Sequence, residues 1–409
     1  MSLSKLARSI APSPTLALNE EARILREKGE AVIHLGAGEP KNKAPIAAIL
    51  SSAAKLTAGD IKYTPTEGTV SLRKAIVRYT EENYDRVPTS DNIIVGAGAK
   101  QCLYNILYTL LNPQDEVIIL APYWVSYPEM VKMLYGVPVI VTPEDGTFYP
   151  RFEEVVQHVT SYTKAIIVNS PNNPSGAVYS EDFTAQLVQF CEEKGIYYIS
   201  DDIYHKLIFD GKKWANPYRY TNRDLETTHV ITTNGVSKLY GMTGFRVGWV
   251  VAPKKMTSVM VNVQGQISTT VSLMQQAGAE GALTGVQSVI ESLRQMLENN
   301  RNVMVQELKG MSGVHLRPPD GTYYCLPDFR AYAAPFGGDS VKMCKFLLDK
   351  ARVVTVPGKE FGMEGHLRLS VCGTIKEIKQ GVERIKWALD PKSPNEIFVG
   401  DRKLVRDWL

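Results

Sequence analysis

Five short stretches carry residue types that could do chemistry together. "NGVSKLYGMTGFRVGW" (234–249) puts Lys238 in a glycine-lined bend, with Arg246 eight residues on. "SDDIYHKLIFD" (200–210) sets two acids at the end of an apolar run, and Asp201 stands three residues before Tyr204. "SPNNPSG" (170–176) has Asn173 beside a proline, "APYWVSYPE" (121–129) carries Trp124, and "GAGAKQ" (96–101) exposes backbone amides around Ala99 and Lys100. Each alone has a bland reading as a solvated charge, a helix cap, a turn or a core indole. In combination they supply an amine, an acid, a second cation, an amide donor, a stacking ring and an anion cradle. A flat ring bearing an aldehyde, a ring nitrogen and a phosphate engages all of them.

Such groups work only if the elements carrying them end on one line. From about residue 70 to 250, short β-branched runs alternate with helical patterns: "NIIVGAGA" then "KQCLYNILYTLL", "DEVIILAPYW" then "SYPEMVKMLYG", "KAIIVNSPNNPSG" then "SEDFTAQLVQFCEEKG", followed by "IYYISDD" and "HVITTNGVSK". That alternation predicts an α/β fold with a mostly parallel sheet covered by helices on both faces. Ligands of such sheets sit at the carboxyl ends of the strands, where all five stretches fall. From about 285 a long helix ("VQSVIESLRQMLENNRNVMVQELKGM") and then short strands and helices point to a second, smaller α+β domain. The tail "PKSPNEIFVGDRKLVRDWL" has no role that its residues reveal.

The bulk numbers exclude several classes. With 409 residues the chain suits a large domain plus a smaller one, and its net charge of +3 comes without the blocks of like charge that mark nucleic-acid or membrane partners. Five scattered cysteines form no CxxC pair, which argues against a disulfide framework or a metal site and for a reducing compartment. The N-terminus lacks a signal-peptide core and no run reaches membrane-spanning length, so the expected location is cytoplasmic. "GAGAKQ" nearly fits a dinucleotide-binding turn. Its sixth position, however, is Gln101, and the next strand ends in "APYW" rather than an acid for a ribose, which argues against a nicotinamide enzyme.

Pyridoxal 5'-phosphate is the cofactor that uses the whole set, and the chain resembles the fold-type I, class I aminotransferases of the aspartate aminotransferase family. The resemblance runs from about residue 10 to 388. "GAGEP", "KYTPTEGTVSLRKAI", "GAGAKQ", "PYWVSYPEM", "NSPNNPSGAVY", "SDDIYHKL", "NGVSKLYGMTGFRVGW", "VPGKEFG" and "HLRLSV" carry it, all in order. It implies a large cofactor-binding domain (46–285) built on a mostly parallel seven-stranded sheet. An N-terminal segment (1–45) would join the small domain (286–409, with a short extra tail).

The resemblance also assigns roles. Lys238 matches the Schiff-base lysine, Asp201 the acid beneath the ring nitrogen, Tyr204 and Asn173 the donors to the phenolic oxygen, and Trp124 the stacking ring. Arg246, Ser237 and the amides at Ala99 and Lys100 match the phosphate clamp. The family's hydroxyl three residues before the lysine is Gly235 here. Tyr63 matches a tyrosine that crosses to the partner's phosphate, implying a homodimer with shared sites. Arg368 and Gly38 match contacts to the substrate α-carboxylate, with Asn173 and Trp124 beside them. Lys100, Ser13 and Thr15 match contacts to a distal carboxylate, whereas Ala11 replaces the basic residue of prephenate-using relatives. The implied reaction is ping-pong transfer of an amino group between an L-amino acid and a 2-oxo acid, with aspartate and 2-oxoglutarate as the expected pair. Aromatic, prephenate or broad specificity, or a β-lyase on the same fold, are the alternatives.

Overall fold

Seven short strands form the central sheet of the computed structural model, which describes residues 3–10, 14–144, 146–399 and 402–408. They are β1 (Ile93–Gly96), β2 (Glu116–Leu120), β3 (Val137–Val141), β4 (Thr163–Asn169), β5 (Tyr197–Asp201), β6 (Val230–Gly235) and β7 (Gly248–Val251). Their spatial order is β1-β7-β6-β5-β4-β2-β3. Strand β7 is antiparallel to both neighbours, and the other pairings are parallel.

Successive side chains of a strand face opposite ways, and the sheet feeds two cores accordingly. Ile93, Val95, Ile118, Ile166, Tyr198 and Val230 join one, and Ile94, Val117, Ile119, Ile167, Ile199 and Ile231 join the other. Both faces are covered, so the strands read as continuous apolar runs rather than alternating ones.

The helices that frame the sheet and its neighbour include α1 (Pro14–Glu27), α2 (Ile46–Ala58), α3 (Val70–Tyr84), α4 (Ala99–Leu110), α5 (Glu181–Lys194), α6 (Leu273–Thr284), α7 (Ser288–Lys309) and α8 (Ile375–Leu389). Local chemistry sets their ends. The Ser180 hydroxyl caps α5 by accepting from the Phe183 N–H, and Gly195 closes it in the left-handed conformation. Thr374 and Glu377 cap α8 reciprocally. Helix α4 differs: it follows Gly98 without a side-chain cap, so its first N–H groups stay open toward the strand ends.

Beyond α7 lies a three-stranded antiparallel sheet, β8 (Tyr324–Cys325), β9 (Val356–Pro357) and β10 (Leu367–Ser370), in the order β9-β10-β8. The N-terminal segment attaches here, because Ile33–His34 pairs in parallel with Val353–Val354. The tail forms an antiparallel pair, β11 (Glu396–Val399) and β12 (Arg402–Val405). Among the described residues no helix is long and apolar enough to cross a membrane, and no cluster of three acidic, His or Cys side chains could hold a metal. The five cysteines are all buried and unpaired.

Candidate active site

A cleft of about 1130 Å³ opens at the carboxyl ends of β4, β5 and β6. Lys238, Asp201, Tyr204, Asn173, Trp124, Arg246, Ala99, Lys100, Ser237, Arg368 and Gly38 all line it. Register explains the convergence, since β4 and β5 end flush with Asn169 opposite Asp201, and Asp201 is opposite Thr233 of β6.

The floor is built around one acid. Asp201 is buried, and its Oδ2 accepts a hydrogen bond from the Tyr127 hydroxyl at 2.7 Å. Its Oδ1 is buried without a partner. Burial pushes this carboxyl up to about 6, while the Tyr127 hydrogen bond and the nearby Lys238 cation pull the other way. An open carboxylate oxygen facing a cleft calls for a cationic N–H donor. Asp202 does not line the cleft. It accepts from Ser200 at 2.6 Å and from Tyr84 at 3.1 Å, and burial holds it largely protonated at neutral pH, its carboxyl pushed up to about 8.

Asn169 links the floor to the next loop: its amide donates to the Asp201 carbonyl at 2.8 Å and its Oδ1 accepts from the Asn173 N–H at 2.8 Å. Trp124 meets Tyr127 edge-on at 5.4 Å, so one tyrosine touches both the acid and the candidate stacking ring. Tyr127 and Asn169 were not singled out from sequence. The three-residue step from Trp124 to Tyr127 at a helix start was the available signal.

Above α4 lies an anion cradle. Arg246 adopts a left-handed backbone (φ 52) and donates to the Thr243 carbonyl at 3.1 Å and the Ala97 carbonyl at 3.3 Å. Gly98 has a φ of 85, which side-chain-bearing residues rarely adopt, and a Cβ there would lie 2.5 Å from the Arg246 Nη2 and push the guanidinium aside. Gly235 has a similar reason. A Cβ there would meet the Val247 carbonyl at 2.8 Å, which excludes the family's hydroxyl from this position.

Lys238 sits on a one-turn helix directly after β6, and its Nζ donates to the Gly38 carbonyl at 2.8 Å. Tyr323 donates to the same carbonyl at 2.9 Å. Opposite, Arg368 on β10 donates to Asn173 Oδ1 at 3.1 Å and to the Gly36 carbonyl at 3.2 Å, with the Tyr324 ring 4.2 Å and the Phe361 ring 5.0 Å from its guanidinium carbon. Its buried Nε has no partner, which leaves a donor for a carboxylate. Tyr204 is buried, with its ring 5.5 Å from that of Tyr323. The Lys100 amine lies 4.7 Å over Trp124, and burial together with Arg246 lowers its proton affinity.

The N-terminal segment supplies the remaining wall with Asn19, Arg26 and His34. Burial pushes the His34 imidazole down to about 4, with Arg26 adding to the effect. The neutral ring accepts from the Gly36 N–H at 3.2 Å, which leaves its Nε2–H to donate to Asn19 at 3.0 Å. Two residues expected at the site stand apart. Thr15 donates both its N–H and its hydroxyl to Glu360, each at 2.7 Å, and does not line the cleft. Tyr63 is 89% exposed and touches none of the site. Ser13 and Ala11 lie outside the described residues. The arrangement can seat a flat group with its ring nitrogen on Asp201, its anionic end between Arg246 and α4, and a carbonyl carbon within reach of the Lys238 amine.

Comparison with known proteins adds a second line. Residues 30–385 match the family described as aminotransferase class I and II. The chain is 39% identical to the probable aspartate/prephenate aminotransferase of Aquifex aeolicus, over 95% of this chain and 98% of the relative. It is 35% identical to the aspartate aminotransferase of Bacillus subtilis, over 96% and 100%. Among solved structures, the aspartate aminotransferase of Thermus thermophilus with maleate superposes with a TM-score of 0.88 at 34% identity, covering 95% of this chain and all of that one. The Thermotoga maritima aspartate aminotransferase superposes with a TM-score of 0.87 at 32% identity, over 94% and 99%.

Proposed function

Since the chain belongs to the class I and II aminotransferases, we propose that its cleft binds pyridoxal 5'-phosphate and moves an amino group between L-aspartate and 2-oxoglutarate. The buried, unpartnered Oδ1 of Asp201 is the observation that carries this reading. It is the acceptor that a protonated pyridine nitrogen needs. When bound, the cofactor supplies an electron sink for the substrate Cα–H bond.

The chain's own residues do the rest. Asp201 holds a proton on the ring nitrogen, and Tyr127 fixes the carboxylate's orientation. Tyr204 and Asn173 donate to the phenolic oxygen, Trp124 covers the ring face, and Arg246, Ser237 and the amides of Ala99 and Lys100 hold the phosphate. Lys238 anchors the cofactor aldehyde; once released, its amine moves a proton at the substrate Cα. As a free amine it donates to the Gly38 carbonyl, a contact that would hold it on the substrate side of the cleft. Arg368 grips the α-carboxylate, with the Gly38 backbone beside it. Lys100 is the cation for the distal carboxylate, and the Thermus thermophilus relative solved with maleate, a dicarboxylate, favours that choice.

The protein acts as a homodimer in the cytoplasm, with residues 46–285 as the cofactor domain and the N-terminal segment and residues 286–409 as the smaller one. Exposed Tyr63 stands near exposed Ile46, Leu50, Leu56 and Ile61 in sequence, an apolar set that a second copy would cover. A second reading is an aspartate/prephenate enzyme, favoured by the name of the Aquifex aeolicus relative. Mixing the cofactor-loaded protein with single amino donors tests both. Aspartate and glutamate should bleach the yellow absorbance and 2-oxoglutarate should restore it. Exchange with prephenate at a comparable rate supports the second reading, and no exchange with any donor refutes both.

A further inference from the structure

The family match stops at residue 385, yet the chain continues, and its described residues through 399 and from 402 to 408 pack back on the small sheet's surroundings. Trp408 meets Trp387 of α8 edge-on at 5.2 Å and Phe346 at 5.3 Å, with the Lys350 amine 5.2 Å over its ring. Lys350 also pairs with Asp407 at 2.9 Å. Buried Arg406 donates its backbone N–H to the Asn395 carbonyl and its Nη1 to the Ser393 carbonyl, each at 2.8 Å, closing the base of the β11–β12 pair. That anchoring fixes β12, whose first residue, Arg402, ion-pairs with Glu30. Arg352 holds the same carboxylate at 3.2 Å, and the two guanidinium groups keep it below the usual carboxylate range.

Glu30 stands where α1 turns back toward the small sheet. Its N–H donates to the Leu25 carbonyl at 3.0 Å after Gly29 in the left-handed region (φ 80). On either side of that turn lie Arg26 and His34, which wall the substrate cleft. We propose that the tail is a strap: Trp408 anchors it to the small sheet's helices, and Arg402, by gripping Glu30, positions the N-terminal wall of the cleft. A lone exposed ion pair would do little. Here Arg402 is itself 60% exposed, but the carboxylate is shared by two arginines, with a side-chain exposure of 18%, and the gripping strand runs into Trp408, which packs against buried Trp387.

The kinetic half of the test rests on the aminotransferase reading; the exchange half does not. Arg402→Ala, Arg402→Lys and a chain ending at residue 390 are compared with wild type by amide hydrogen exchange and by steady-state kinetics with aspartate. For Arg402→Ala and the shortened chain, exchange within residues 14–34 should rise about tenfold with β4, β5 and β6 unchanged. The KM should rise about three- to tenfold with kcat within about twofold. Arg402→Lys should recover most of both effects. Unchanged exchange at 14–34 in Arg402→Ala overturns the proposal even if the shortened chain is affected. Loosening spread equally over the central sheet, or a fall in kcat as large as the rise in KM, also overturns it. A wild type without transamination defeats the functional reading and leaves the exchange result to decide the strap.

Discussion

The floor of the cleft and its N-terminal wall are built by different means. The floor stands on the ends of three adjacent parallel strands and is held by neighbours close to those ends: the Asp201 carboxylate by Tyr127, at the start of the helix Ser126–Met133, and the Asn173 backbone N–H by Asn169 at the end of β4. The wall depends on contacts between residues far apart in sequence. Arg402 to Glu30 and Lys345 to Glu21 are ion pairs between the N-terminal segment and the small sheet's surroundings. Two further links close the rim, Lys41 to Glu377 at 2.6 Å and Thr243 to Glu39 at 2.5 Å. Under the proposed function the floor would set the reaction and the wall would meet the substrate, so that changes in the wall should leave the chemistry untouched.

Mutations in the two regions should therefore fail differently. Lys238→Ala should lower transamination by about 10³-fold or more while cofactor still binds through Arg246 and α4; near-normal turnover would remove Lys238 from the mechanism. Asp201→Ala should cost about a hundredfold or more in kcat and Asp202→Ala less than about tenfold, because only Asp201 faces the cleft. The reverse order, measured by stopped-flow half-reactions, would break the claim that the floor rests on one acid.

Tyr127→Phe leaves the buried Oδ2 of Asp201 unsatisfied, a loss of about 1–3 kcal/mol. Cofactor affinity from equilibrium dialysis should fall by about ten- to a hundredfold. Lys100→Ala should raise the KM for aspartate more than that for phenylalanine, by about tenfold. Equal losses would move the distal carboxylate away from Lys100.

A further prediction concerns pH. Burial raises the Asp202 carboxyl to about 8 in the folded protein, so the native state holds a proton that the unfolded chain releases near its ordinary value of 3.8. This contribution to stability is complete below about pH 4 and is lost as pH rises through about 8. Urea unfolding of cofactor-free protein should show Asp202→Asn gaining on wild type between about pH 4 and 8 and levelling off above about pH 8. A constant difference would mean that Asp202 does not titrate there.

Legibility followed the same division. Local patterns were enough for the parallel sheet and for α5 with its Ser180 and Gly195 ends; of the two acids at the end of β5, Asp201, the one three residues before Tyr204, lines the cleft and Asp202 does not. Partners of those groups were less legible. Tyr127 lies in a stretch that drew notice for its Trp, but its hydroxyl matters only because β5 ends beside it. Thr15 shows the limit of a role carried over by resemblance, since its hydroxyl is engaged by Glu360, 345 positions away. The tail's residues resembled no motif, because its purpose lies in pairing Arg402 with Glu30, 372 positions apart.

The most direct test of the account is where the cofactor attaches. Protein loaded with pyridoxal 5'-phosphate is reduced with borohydride, digested, and its peptides are weighed by mass spectrometry. A pyridoxyl-phosphate adduct on Lys238 alone, at close to one per chain, is the predicted result. An adduct on Lys100 or another lysine instead, or no stoichiometric adduct at all, would contradict the site built here on Lys238 and Asp201.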